Sequence, residues 1–100
     1  MNVSIAGNGM LDDGTQKYNL RDASVRIRNN DCRITLTTDR NQRLELAGRV
    51  QRNEGKCQLN SSNRGNVNGD AYISANGSNV TAINVSGTFN GRPFSGFLRR

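Results

Sequence analysis

Ala23-Ser-Val-Arg-Ile-Arg28, Cys32-Arg-Ile-Thr-Leu-Thr-Thr38, Arg43-Leu-Glu-Leu-Ala-Gly-Arg-Val50 and Lys56-Cys-Gln-Leu59 are consecutive runs in which apolar and polar residues alternate with a period of two. That period marks half-buried antiparallel strands, because successive side chains of a strand fall on opposite faces. One face collects Ala23, Val25, Ile27, Cys32, Ile34, Leu36, Leu44, Leu46, Gly48, Val50, Cys57 and Leu59. The other carries Arg26, Arg28, Arg33, Thr35, Thr37, Arg43, Glu45, Arg49 and Lys56. The stretch predicts a sheet with an aliphatic core side and an arginine-rich outer side.

Outward from it, further strand-like segments cover 2–11, 15–20, 70–75, 79–89 and 92–99. Turn chemistry separates them: Asp13-Gly14, Asn29-Asn30, Asp39-Arg-Asn-Gln42, Asn53-Glu-Gly55, Asn76-Gly77 and Asn90-Gly91. Asn-Gly and Asp-Gly supply the positive φ that tight hairpins demand. No window shows a capped amphipathic helix, so at most one helical turn is expected, in 63–69, the longest loop candidate. The chain is read as all-β: eight to nine short antiparallel strands in a meander, closed as a small up-and-down barrel or flattened into a sandwich. One hundred residues make one domain, 1–100.

Two irregularities refine this. Val3-Ser-Ile-Ala-Gly7, Leu44-Glu-Leu-Ala-Gly48 and Ile83-Asn-Val-Ser-Gly87 share one pattern, echoed by Phe94-Ser-Gly96. Each Gly falls on the core side, where it lets a strand coil sharply or makes room for a ring from Phe89, Phe94 or Phe97. In 79–89, Val80 and Ala82 have one parity and Ile83, Val85, Gly87 and Phe89 the other, so a bulge is expected near Ala82.

Leu, Ile, Val and Phe sum to 21 residues and there is no Trp, so the core is expected to be lean and aliphatic. Twelve Arg and two Lys against eight acids give a net charge of +6. Such a balance attracts polyanions, although a basic surface also simply keeps a domain in solution. No apolar stretch approaches the ~18 residues of a membrane span, and no charged start plus apolar run marks a signal peptide. The chain opens on the strand-like Asn2-Val-Ser-Ile-Ala6, as expected where a leader has been cut off and a Met added, which points to a secreted or periplasmic protein.

With only Cys32 and Cys57 and no His, the usual zinc sets cannot be made, and no cofactor or metal is implied. Both cysteines point inward at the same end of the sheet, which favours a disulfide. Against it, a flat sheet would hold them roughly 10 Å apart across the strand Arg43–Val50, beyond the ~7 Å a disulfide tolerates. The bridge therefore needs a shortened middle strand, a strongly curled sheet or another strand order; the alternative is two buried thiols.

The absence of His also removes the commonest general base and the Ser-His and Cys-His nucleophile pairs. The acids Asp12, Asp13, Asp22, Asp31, Asp39, Glu54 and Asp70 sit in or beside turns, where Asp bonds its local backbone. A glycosidase-like pair such as Asp31 and Glu54 is permitted by spacing, but nothing singles it out. Asn66-Val-Asn-Gly-Asp70 has one acid where calcium loops have several. Five N-x-S/T sequons, at Asn2, Asn60, Asn76, Asn79 and Asn84, take glycans only in a eukaryotic secretory pathway.

The arginine face is the most specific functional feature. Arg26, Arg28, Arg33, Arg43 and Arg49, with Lys56 beside them, form a candidate polyanion site interrupted only by Glu45. Planar guanidinium forks suit sulfate, phosphate or carboxylate. Tyr18 and Tyr72 lie elsewhere, so the stacking platforms of a single-strand nucleic-acid binder are missing. The expected function is a non-enzymatic module that binds an acidic polysaccharide or an acidic protein surface. Two alternatives stand beside it. One is a small-ligand carrier with a cavity of ~300 Å³ or more lined by Leu36, Leu46 and Phe89. The other is an interaction module that pairs an edge strand, 2–6 or 92–98, with a partner.

Overall fold

Alternation sustained from end to end leaves every strand with one greasy face, and a sheet hides such faces at least cost by curling until its first and last strands meet. The structure, a computed structural model, describes residues 2–51 and 56–100. Eight antiparallel strands follow one another: β1 (Asn2–Asp12), β2 (Lys17–Arg28), β3 (Asp31–Thr38), β4 (Arg43–Gln51), β5 (Lys56–Ser62), β6 (Val67–Asn76), β7 (Asn79–Phe89) and β8 (Arg92–Arg99). They close into a barrel in chain order. Closure runs from Asn8 opposite Arg99 to Asp12 opposite Ser95. The expected meander is a barrel and not a sandwich. Among the described residues there is no helix, hence none long and apolar enough to cross a membrane.

All eight strands fill the interior, with Ile5, Val25, Ile34, Leu36, Leu46, Leu59, Val67, Ile83 and Leu98 among its buried side chains. The segments 15–20 and 23–28 are one strand, β2. A bulge at Arg21 lets Leu20 pair with Thr38 while Asp22 pairs with Thr37. The extra residue switches the buried parity from Leu20 to Ala23, which a strict period of two reads as a break. The bulge expected near Ala82 lies one residue away: Ser74 opposes Ala82 and Ala75 opposes Val80, so Thr81 is the extra residue. Its hydroxyl donates to the Ser74 carbonyl at 3.2 Å.

No helical turn forms in 63–69. Ser62 Oγ accepts from the Arg64 and Gly65 amides at 3.2 and 3.0 Å and donates to the Gly65 carbonyl at 2.6 Å, which makes a tight turn, and β6 starts at Val67. The expected turn at 53–55 lies outside the described residues.

Of the repeated glycines, Gly48 serves close strand approach and Gly87 stands opposite the buried Phe94. A Cβ on Gly48 would stand 1.8 Å from the Gln58 carbonyl oxygen, so β5 lies directly against β4 there. The register slips between Ala47 and Gly48 at the same place. This sharp curl answers the cysteine conflict: Cys32 and Cys57 are bridged across β4, with Cα atoms 6.3 Å apart. Of the three phenylalanines, Phe89 and Phe94 meet edge to face at 6.3 Å, whereas Phe97 points outward, under the Arg99 guanidinium at 5.6 Å.

The β7–β8 turn also braces the start of β6. Asn90 adopts φ 51°. Its amide donates to the Asn66 carbonyl at 2.8 Å, and its Oδ1 accepts from the Asn66 amide at 2.9 Å. Asn90→Ala loses that side-chain bond and puts a Cβ residue without Asn's tolerance in the left-handed region, so we expect a loss of about 2 kcal/mol in urea unfolding. Asn90→Gly loses only the bond and costs about half as much.

Candidate anion-binding site

Pairing of β2, β3 and β4 decides which arginines meet. Arg26 stands directly opposite Arg33, and Arg28 opposite Asp31. Asp31 in turn opposes Arg49, and Arg33 opposes Ala47. Two adjacent rows thus carry four arginines and one carboxylate on the outside of the barrel. They surround a depression of about 420 Å³ whose lining also includes Ala47, Gly48 and Asn60. Ala47, which presents only one methyl, keeps its floor low. Asn60 is brought in by the same register slip that curls β5, since Ala47 pairs with Ser61 and Gly48 with Leu59.

Arg26 facing Arg33 is a local cost, because like charges directly opposite on a sheet destabilise it. Such a cost, left uncompensated, is expected at functional surfaces rather than structural ones. Among the described residues none of Arg26, Arg28, Arg33 and Arg49 is held in an ion pair. By contrast Arg21 is paired with Asp22 at 3.2 Å.

Arg43 and Lys56 do not join the cluster. Arg43 opposes Thr37 at the far end of β4, and its carbonyl accepts from Arg64 Nε at 2.9 Å. Lys56 lies on β5 opposite Tyr72, and its Nζ is 3.6 Å from Asp70 Oδ1. Four of the six expected residues are together. Asp31 and Asn60 are additional members, the first visible only once β3 is registered against both neighbours, the second only once the bulge is known.

No significant match links the chain to a family model, a curated protein or a solved structure.

Asp12, Asp13, Asp22 and Asp70 are engaged structurally. Asp12 Oδ1 accepts from the Gly14 amide at 2.9 Å. Asp13 Oδ1 accepts from the Thr15 amide, the Thr15 hydroxyl and the Gln16 amide, each at 2.8 Å. Burial of Asp13 opposes ionisation, but these donors outweigh it and hold the carboxyl below its ordinary range. Asp70 faces Lys56 from within β6, so Asn66 to Asp70 is no open loop. Glu54 lies outside the described residues.

The expected carrier residues separate: Leu36 and Leu46 are in the packed interior, while Phe89 lines a depression of about 110 Å³ at one barrel end. Residues 92–98 are no free edge, being paired with β7 throughout and with β1 from Ser95.

Proposed function

We propose that the protein is a non-enzymatic binding module for an anionic partner, an acidic polysaccharide or the acidic surface of another protein, working outside the cytoplasm. The observation that carries the reading is the apposition of Arg26 and Arg33, flanked by Arg28 and Arg49 around, among the described residues, a single acid, Asp31. Among the described residues, four guanidiniums against one carboxylate leave a concentrated positive field over a recess. Each fork presents donors suited to carboxylate or sulfate oxygens. Among the described residues no aromatic side chain lines the recess, so a partner recognised by base stacking is disfavoured. The disulfide is compatible with an extracellular or periplasmic location, where oxidised cysteines persist.

Heparin serves as the probe. At low salt the parent protein is expected to bind it, with affinity falling as added salt screens the charges. Neutralising Arg26, Arg28 and Arg33 to Gln is expected to weaken binding about tenfold or more, at up to ~1 kcal/mol per exposed contact. A charge-matched control with Arg40, Arg92 and Arg100 replaced by Gln keeps most of the affinity. Equal losses in the two triple variants would show that net charge alone is responsible and would end the reading.

A further inference from the structure

The barrel end beside the β3–β4 turn carries a second, chemically different recess. Leu11, Leu44, Phe89 and Phe94 form its apolar floor, and it holds about 110 Å³. Arg43, Arg64, Tyr18 and Gln42 stand at its rim. The bond from Arg64 Nε to the Arg43 carbonyl, at 2.9 Å, fixes one guanidinium in place beside the backbone of the other arginine. Among the described residues neither arginine is in an ion pair. The acid in the same recess, Asp13, already takes three hydrogen bonds from its own turn.

An apolar floor under a cationic rim calls for an amphiphile. From this arrangement we infer that this end of the barrel binds a short-chain monocarboxylate, its alkyl body on the four apolar side chains and its carboxylate between Arg43 and Arg64. Size and charge fix the class. An apolar void of about 150 Å³ takes up benzene, so the smaller recess can cover no more than a short alkyl chain. Two guanidiniums less one carboxylate leave a single positive charge, which matches a monoanion better than a phosphate dianion. So small a ligand is expected to half-saturate the site at about 1–10 mM.

The site is independent of the arginine cluster on β2–β4, and the experiment separates them. Isotope-labelled protein is titrated with pentanoate, 1-pentanol and acetate while the backbone amide signals of Thr38, Gln42, Leu44 and Phe89 are followed. Pentanoate is expected to shift them saturably. Pentanol, which lacks the charge, and acetate, which lacks the apolar body, bind about tenfold or more weakly. Arg43→Gln and Arg64→Gln each reduce pentanoate affinity several-fold, and Arg26→Gln leaves it unchanged. Should Arg64→Gln disturb the free protein through the lost Nε bond, Arg43→Gln carries the test, since its backbone carbonyl is retained. Pentanol binding as well as pentanoate, or pentanoate shifts gathering around Arg26, Arg33 and Arg49, would overturn the inference. Neither result bears on heparin binding by the cluster.

Discussion

Replacing Cys32 and Cys57 together by Ala is expected to cost about 3.5 kcal/mol of stability. The bridge closes a loop with a sequence separation of 25. In the chain-entropy treatment a loop of that length removes about 3.5 kcal/mol of freedom from the unfolded chain. For a domain of this size the loss lowers Tm by roughly 15–25 °C. The effect is large relative to the whole, because the interior is aliphatic, with no Trp and three Phe, one of which, Phe97, faces outward at 40 % exposure. Alanine is the proper replacement, since both sites are buried and a serine hydroxyl there would need a partner. Thermal melts of parent and variant decide it, alongside a thiol assay on the unfolded, unreduced parent. A Tm change below about 5 °C, or two free thiols, would contradict the account.

The second large effect is expected from adding a single carbon at Gly48. Its Cβ would fall 1.8 Å from the Gln58 carbonyl oxygen and 2.8 Å from the Leu59 Cα, both backbone atoms of β5. Nothing flexible is available to yield, so β5 must retreat by more than an ångström and carry the neighbouring Cys57 with it. Gly48→Ala is therefore expected to exceed ordinary overpacking and cost about 3–4 kcal/mol, with incomplete disulfide formation. Gly91→Ala is the contrasting variant. At φ 81° it incurs left-handed strain, but its Cβ would meet nothing within 4 Å, so about 1–2 kcal/mol is expected. A Gly48→Ala protein as stable and as fully oxidised as the parent would mean that the sheet does not turn there.

These two positions also show how far the sequence could be read. Alternation in 23–59 located β3, β4 and β5 and assigned their faces, because side-chain parity is a property of the local backbone, with the exception of Thr37, expected outside but buried. Distance across strands is not local. Counted on a flat sheet the cysteines stood too far apart, and only the slip at Ala47 and Gly48 brings their Cα atoms to 6.3 Å. The glycine repeat pointed to this slip, but whether glycine admits a ring or a neighbouring backbone depends on curvature, which no single strand encodes. Arg21 was lost for the same reason, since a bulged residue breaks the parity on which strand detection rests.

For the candidate site, parity placed all six basic residues on the outside but could not say which were neighbours. Arg26 and Arg33 meet because the Asn29-Asn30 turn sets the β2–β3 register. Arg43 is four residues along β4 from Ala47, opposite Thr37 instead of Arg33, and belongs to another part of the surface. The recess at the barrel end was missed altogether, because Leu11, Leu44, Phe89 and Arg64 come from distant parts of the chain and share no pattern.

The β1–β8 junction has a consequence for how the protein is made. It joins Asn8 to Arg99, so during translation this part of the first strand must wait, with one flank unsatisfied, until Ser95 to Arg99 have left the ribosome. Zipping of neighbouring hairpins can begin early, whereas the seam is the most non-local contact and waits for the last strand. Until then the nascent sheet exposes the apolar lining of a cylinder that has not yet shut.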